Sequence, residues 1–342
     1  PWVSTYAGHA GTHSDNAEGT YPWIEEGWCN EDYRITVEGD PKRFTRRLYW
    51  EHGNYSWAEV DARQWAEWGV DYLKYDWKPN DIYHTIEMAE ALKKCGRDII
   101  YSLSNSAPFA DAYRFKELAD CWRTTGDIRD TWESIFTIGF EQQERWAAFH
   151  GPGHWGDADM LVVGFVGGWS SNQHFSRLTP DEQFTHITLW TMLASPMLIG
   201  CDIAQMDDFT RSLLCNFEVN DILQDPLGMR AMPFYRNDQH AVYVKILENG
   251  DLAVALFNTS DAPLDIEIEP RALGLWENAA MVRDVWRQSI VTYVYPGDTF
   301  TTRVAPHGAE LFRLSPGNSE KRSTAPAHYM PHKIISPRPV TE

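Results

Sequence analysis

The sequence predicts a parallel β/α domain followed by an antiparallel β-domain. Between residues 56 and 200, short apolar runs alternate with segments of helical periodicity, a pattern typical of parallel strands joined by helices. After about Met232 the helical periods stop, and short strand-like runs separated by turn signals take their place. We therefore expect residues 1–232 to form the β/α domain and residues 233–315 a β-sandwich.

The first regular element predicted in the β/α domain is a helix. Ser56 and Glu59 form a capping box at its start, and Gly69 ends it. A second helix is predicted from about Ile82 to Cys95, and Thr179 with Pro180 and Glu182 begins a later one. The strand predictions of this domain cover residues 70–76, 98–104, 119–123, part of 151–160, and 197–200.

The second domain is predicted from a hairpin signal. Asn249-Gly250 separates the apolar runs 241–246 and 252–257, and an Asn-Gly pair favours a two-residue turn. Further strands are expected near Ile266 and at 282–286, 300–304 and 309–314. The tail, residues 316–342, is rich in Pro, Ser and charge, and we expect it to be disordered.

Composition narrows the classes of function. The 342 residues carry a formal net charge of −19 with no long basic run, which argues against nucleic acid or an anionic membrane surface as a partner. No apolar run is long enough to span a membrane. The 16 Trp, 15 Tyr and 15 Phe fill a core, and such rings also stack on sugars. The five cysteines show neither a disulfide framework nor metal-ligand spacing.

The first residues predict little regular structure. Residues 7–55 form an expected long loop that contains Trp23, Trp28 and Trp50. Pro1 begins the sequence without a signal-peptide pattern, so we expect a trimmed chain; its compartment is left unknown, with a secreted or periplasmic protein as the expectation.

The strand at 70–76 carries charge on one face. Tyr72, Lys74 and Asp76 point to one side of the strand, and Leu73 and Tyr75 to the other. Charged groups on an otherwise apolar strand are costly unless they are paired or used. A structural ion pair and a catalytic group at the carboxyl end of the strand are equally consistent with this segment alone.

Two carboxylates suggest glycoside hydrolysis, which needs a pair of them. Asp76 and Asp127 each follow a predicted strand, two β/α units apart. Lys74 would favour the ionised form of Asp76, as a nucleophile requires, whereas Asp127 follows apolar Cys121-Trp122 and would stay protonated as an acid.

Four motifs resemble those of glycoside hydrolase family 27, in the family's order and over roughly residues 57–314. They are Tyr72-Leu73-Lys74-Tyr75-Asp76, Trp122-Arg123 through Gly126-Asp127-Ile128, Gly151-Pro152-Gly153-His154-Trp155 with Asp157-Ala158-Asp159-Met160-Leu161, and Gln224-Asp225-Pro226-Leu227-Gly228. The resemblance implies a (β/α)8 TIM-type barrel followed by an antiparallel β-sandwich. It also implies a retaining mechanism, in a family that contains α-galactosidases and α-N-acetylgalactosaminidases.

The resemblance assigns roles by position. Asp76 would be the nucleophile and Asp127 the general acid/base, while Lys74, Arg123 and Asp159 would bind the sugar. Arg123 alternatively pairs with a barrel carboxylate. Asp130 and Asp157 match acidic positions of the family, but helix-start or supporting roles suit them equally, and His154 is either in the pocket or solvated.

The segment after the 98–104 strand bears on specificity. In the family, Ser and Ala here leave room for an N-acetyl group at the sugar's 2-position, whereas an acidic residue and a larger apolar one suit a hydroxyl. Ser104 and Ala107 occupy what we take as the equivalent places, which favours N-acetylgalactosamine if the alignment does not slip.

Several family features are missing from this sequence. The early barrel strands, with a Trp and an acidic pair that bind the galactose 4- and 6-hydroxyls, are not found, so we expect a barrel that lacks about two first strands. Trp77-Lys78-Pro79 follows Asp76 where the family has cysteine.

The sequence thus predicts a retaining exo-α-galactosidase that needs no cofactor and acts on a carbohydrate substrate. The alternatives are an α-N-acetylgalactosaminidase or a β-L-arabinopyranosidase of the same family, or an inactive sugar-binding fragment. A metal hydrolase is disfavoured because His9, His13 and His52 lack ligand-like spacing. Homo-oligomer formation is left open.

Overall fold

The structure is a computed structural model that describes residues 2–5, 34–37, 40–46, 58–76, 80–104, 106–168, 172–276, 279–317 and 328–329. The chain divides into two compact units, residues 1–126 and 127–342. Several features singled out in the sequence lie outside the described residues: Trp23, Trp28 and Trp50, Ser56, and Trp77-Lys78-Pro79.

The first unit holds a parallel sheet with helices between its strands. The strands are β1 (Trp2–Thr5), β4 (Tyr72–Tyr75), β5 (Ile100–Leu103) and β6 (Cys121–Arg123), hydrogen-bonded in that order. The helices are α1 (Ala58–Glu67), α2 (Ile82–Lys94) and α3 (Ala112–Leu118). Their alternation with the strands agrees with the sequence-based expectation.

Local sequence explains where these helices stop and start. Gly69 ends α1 with φ of +75°, a conformation that glycine adopts without a Cβ penalty. Asp81 caps α2 by accepting a hydrogen bond of 3.0 Å from the His84 backbone N–H. Within the predicted 7–55 loop, Arg34–Val37 (β2) and Asp40–Arg46 (β3) form a hairpin, so the expectation of irregular structure there is wrong over these strands.

The second unit begins with a mainly helical part. Its helices are α4 (Trp132–Ile135), α5 (Pro180–Met192), α6 (Asp208–Leu214) and α7 (Phe217–Leu223). Its short strands are β7 (Trp155–Asp157), β8 (Phe165–Val166) and β9 (His174–Phe175). The capping box at Thr179 and Glu182 is formed as predicted. The strand predicted at 197–200 is wrong: Ile199 makes a single bridge to Leu161 and is half exposed.

A β-sandwich completes this unit. Its strands are β10 (Met232–Arg236), β11 (His240–Ile246), β12 (Leu252–Asn258), β13 (Leu264–Ile268), β14 (Ala280–Asp284), β15 (Ser289–Val294), β16 (Phe300–Val304), β17 (Ala309–Pro316) and β18 (His328–Tyr329). The larger sheet has the order β10-β11-β12-β17-β14-β15, and the smaller one β13-β16-β18. The hairpin at Asn249-Gly250 joins β11 to β12 as predicted. β18 lies within the tail predicted to be disordered, and the remainder of that tail after Gly317 lies outside the described residues.

Helix α5 is the centre of the second unit. Ten of its thirteen residues are buried, so it is a core helix on nearly every side. Its Ile187 and Trp190 belong to the same hydrophobic cluster as Tyr243, Phe257 and Leu311 of the sandwich. Across the described part of the chain, no helix has both the length and the apolar character needed to cross a membrane.

Candidate active site

The carboxyl end of β4 carries the charged pair singled out in the sequence. Leu73 and Tyr75 are buried, whereas Lys74 and Asp76 are partly exposed on the opposite face. The Lys74 Nζ atom lies 3.5 Å from Oδ1 of Asp76. Since about a quarter of each side chain is exposed, the pair is open to a ligand and is not sealed in the core.

The segments after β4, β5 and β6 are linked by backbone hydrogen bonds. The Ser104 N–H donates to the Tyr75 carbonyl at 3.1 Å, and the Ala107 N–H donates to the Arg123 carbonyl at 2.9 Å. The amide of Asn80 donates to the Ser104 carbonyl. These bonds hold the ends of three neighbouring strands in fixed register, which suits a site built from all three.

The side chains of Ser104, Ala107 and Arg123 are buried in this unit. Arg123 Nε donates to the Thr125 carbonyl at 3.2 Å. The Ser104 hydroxyl is buried and has no hydrogen-bond partner among the described residues. A buried hydroxyl in that state is costly.

In the second unit, the segment that carries Asp127 is attached to Asp159. Asp127 is exposed, and the next residue, Ile128, is buried. The Ile128 N–H donates to Oδ2 of Asp159 at 2.8 Å, and the Met160 N–H donates to Oδ1 of Asp159 at 2.8 Å. Both oxygens of this carboxylate are thus engaged by backbone, so Asp159 positions the Asp127 segment.

Asp159 has a strained backbone. Its φ is +81°, in the region that non-glycine residues seldom adopt. Three bonds hold it there: its N–H donates to Asp157 Oδ1 at 2.7 Å, its carbonyl accepts the indole N–H of Trp190 at 2.8 Å, and the preceding Ala158 N–H donates to the Ser195 hydroxyl at 2.9 Å. Strain that is held so firmly is common at functional sites.

Two histidines accept backbone hydrogen bonds on either side of the Asp157–Asp159 segment. Nδ1 of His150 accepts the Gly156 N–H at 3.1 Å, and Nε2 of His186 accepts the Val162 N–H at 3.1 Å. Burial lowers the pKa of each ring to about 3. Both imidazoles are therefore neutral acceptors near neutral pH.

Asp130 lies in an ion-pair network. Burial raises its pKa, but hydrogen bonds from the Arg177 guanidinium and backbone, and from His174, outweigh burial and lower the pKa to about 2. The sequence left Asp130 open between a helix-start role and a supporting role. These bonds favour the supporting role, because Asp130 ties the 174–177 segment to the start of α4.

The last motif packs on the third. A Cβ at Gly228 would lie 2.7 Å from the Trp155 ring and 2.9 Å from Pro152, and Gly228 has φ of +58°. His154, between them, forms a tight bridge with Gly151 through two backbone hydrogen bonds of 3.0 Å. The third and fourth motifs, which are far apart in sequence, therefore pack against each other at β7.

Comparison with known proteins identifies the family. The family described as Alpha galactosidase A matches residues 34–225, more than half of the chain. The Alpha galactosidase C-terminal beta sandwich domain matches residues 237–314. The chain belongs to the alpha-galactosidase A family.

Individual relatives of this family agree. Alpha-galactosidase 2 of Arabidopsis thaliana is 34% identical over 270 residues, covering 77% of this chain and 64% of that protein. The alpha-N-acetylgalactosaminidase of Gallus gallus is 31% identical, covering 76% of this chain and 65% of that protein. The chain thus spans less than two thirds of the length of these curated relatives.

A solved structure shows the same fold. The β-L-arabinopyranosidase of glycoside hydrolase family 27 from Geobacillus stearothermophilus is 33% identical, with a TM-score of 0.71, and the match covers 77% of this chain and 62% of that one. The resemblance to family 27 and the predicted fold class, a barrel domain followed by an antiparallel β-sandwich, are confirmed. The predicted domain boundaries and site roles stay predictions.

Sequence reasoning missed the supporting residues His150, His186 and Trp190. The available signal was that the helix after Thr179 has apolar or small residues on most sides, which indicates a buried helix. A histidine and a tryptophan inside such a helix need hydrogen-bond partners, but the sequence does not say which loop supplies them.

Proposed function

We propose that the chain belongs to a retaining exo-α-galactosidase that releases terminal galactose from a carbohydrate. Family membership supports the reaction class, and the 3.5 Å approach of Lys74 Nζ to Asp76 Oδ1 at the open end of β4 is the observation that carries the site. Asp76 attacks the anomeric carbon while Asp127 protonates the leaving oxygen. Asp127 then deprotonates water, which displaces Asp76 and releases the sugar with its α-configuration retained.

The other predicted residues bind the sugar or act on the two catalytic carboxylates. The Lys74 ammonium neutralises the Asp76 carboxylate and donates to a sugar hydroxyl, and Arg123 donates to another. The resemblance to family 27 implies that Asp159 binds the sugar. Its two oxygens already accept backbone N–H groups, so we assign it the positioning of the Asp127 segment in addition.

The test compares two carboxylates around the same strand. Initial rates are measured on an aryl α-galactoside for Asp76→Asn and for the matched Asp71→Asn, whose exposed carboxylate pairs with Arg97 before β4. We expect Asp76→Asn to lose turnover by about 10³-fold or more and Asp71→Asn to retain it. Proton NMR of the first-formed anomer checks retention. Turnover by Asp76→Asn at the parent rate, or β-galactose as first product, would refute the assignment.

An α-N-acetylgalactosaminidase is the second candidate. Ser104 and Ala107 are both small, and the Ser104 hydroxyl has no partner among the described residues. Rates on aryl α-galactoside, α-N-acetylgalactosaminide and β-L-arabinopyranoside decide between the activities. A preference for the N-acetylated substrate that Ser104→Glu reverses would support the second candidate.

A further inference from the structure

The β-sandwich has an open side that no proposed catalytic residue uses. Among the described strands, β10 lies at one edge of the larger sheet and β13 at one edge of the smaller one. A cavity of 390 Å³ is lined by residues of both strands and of the turn after β13. Its volume lies in the range that proteins use to bind small ligands.

A β-bulge places two aromatic rings in this cleft. Pro233 pairs with Tyr243 and Tyr235 pairs with Val242, so Phe234 is an extra residue in β10. Consecutive side chains of a regular strand point to opposite faces, whereas a bulge re-aims them. Phe234 and Tyr235 consequently both line the cleft, and each is about half exposed.

One of these rings is held in place. The Tyr235 hydroxyl accepts a hydrogen bond of 3.1 Å from the side-chain amide of Asn237. Its ring packs on that of His240, with centroids 5.1 Å apart and planes tilted by 32°. A fixed ring loses little conformational entropy when a ligand stacks on it.

The polar groups of the cleft are available for binding. Glu267 and Glu269 make no ion pair within the described ranges, while Asp265 is neutralised by Arg303 at 3.1 Å. Nδ1 of His240 is buried and out of a ligand's reach, so Nε2 is the ring nitrogen that a ligand in the cleft could contact. Burial lowers the pKa of His240, which favours the neutral ring, in which Nε2 is a donor or an acceptor according to the tautomer.

We infer that the cleft between β10 and β13 is a second carbohydrate site, which binds a neutral sugar unit away from the proposed catalytic centre. Aromatic rings stack on the apolar faces of a sugar, carboxylates accept its hydroxyl hydrogens, and a hydroxyl can donate to Nε2 of His240 or accept from it. A hydroxyl-rich ligand with an apolar face matches all three features. An organic cation without hydroxyls would use the rings and carboxylates but would leave Nε2 of His240 without a partner.

The choice of probe rests on the proposed function, whose substrate would carry terminal galactose. The full chain with Asp76→Asn, which cannot turn the probe over, is run by affinity electrophoresis in gels containing galactomannan. Phe234→Ala and the near-isosteric Glu267→Gln are each added to that chain. The matched control is Phe217→Ala, which removes an exposed ring from α7, outside the cleft.

We expect Phe234→Ala to weaken retardation about tenfold and Glu267→Gln several-fold, while Phe217→Ala leaves it unchanged. In chains with Asp76 intact, the same variants should keep their rate on a small aryl galactoside. Equal retardation of all variants would overturn the proposal, as would binding of tetramethylammonium by the cleft without binding of galactomannan. If the chain with Asp76 intact had no activity but the Phe234→Ala and Glu267→Gln variants still showed weaker retardation, the proposed function would be refuted and the second site would stand.

Discussion

The Ile128 backbone N–H donates a 2.8 Å hydrogen bond to the Asp159 carboxylate, so the residue after the proposed acid/base is fixed by a side chain 31 positions away. Asp159 accepts this bond while its own backbone is held at φ of +81°. The position of Asp127 therefore depends on a strained residue and on everything that holds it.

Substitutions at Asp159 should separate strain from hydrogen bonding. Asp159→Gly and Asp159→Ala both leave the Ile128 and Met160 N–H groups without their acceptor, but only Ala keeps the steric cost of a positive φ. We expect Asp159→Gly to be more stable than Asp159→Ala by about 1 kcal/mol. Thermal unfolding measures the difference. Equal stability of the two variants would show that the backbone relaxes. Asp208→Ala, which removes an exposed carboxylate, is the control for loss of a surface charge.

Trp190→Phe should impair catalysis through the same loop. The change removes the indole donor to the Asp159 carbonyl and costs about 1–3 kcal/mol of stability. Trp286→Phe is the matched control, because it removes a buried indole bond of 3.0 Å to the Thr188 hydroxyl and leaves the bond to the Asp159 carbonyl in place. We expect kcat for an aryl galactoside to fall only in Trp190→Phe. A comparable fall in both variants would indicate a general loss of packing.

Stability should decrease as the pH falls below about 6.5. The folded pKa of His150 and of His186 is about 3, whereas the unfolded chain takes up a proton on each near its ordinary value. The unfolded state thus binds more protons between these values, and each histidine costs about 2 kcal/mol at pH 5. Above pH 6.5 these two groups add no pH dependence.

Neutral isosteres test this origin of the acid sensitivity. His150→Asn keeps an acceptor near Nδ1 and His186→Gln one near Nε2, and neither titrates. Melting temperatures measured from pH 7 to pH 5 should depend on pH less in each variant than in the parent chain. An unchanged slope in both would assign the sensitivity to other groups.

Gly228→Ala should destabilise more than the matched Gly250→Ala. Both glycines have positive φ, but a Cβ at Gly250 meets nothing within 4 Å, whereas one at Gly228 meets Trp155 and Pro152. We expect about 1 kcal/mol for Gly250→Ala and about 1–3 kcal/mol more for Gly228→Ala. Denaturant unfolding gives both values. Similar losses would mean that the Trp155 ring yields at no cost.

The sequence predicted what depends on local signals. Capping residues predicted the start of α5, Gly69 predicted the end of α1, and Asn249-Gly250 predicted the β11–β12 hairpin. It failed where tertiary contacts decide. The apolar run at 197–200 forms one bridge instead of a strand, and neither the Ile128–Asp159 bond nor the bulge at Phe234 has a local signature.

The hydrophobic cluster around α5 has a consequence for dissecting the protein. It includes Ile187 and Trp190 of that helix together with Tyr243, Phe257 and Leu311 of the sandwich. His307, from a sandwich loop, also stacks on Trp132 at 4.1 Å and bonds to Glu182 at 2.8 Å. Dividing the chain near residue 232 would expose hydrophobic surface on each fragment. The sandwich is therefore no interchangeable module, and grafting it onto another enzyme requires carrying α5 and Trp132 along with it.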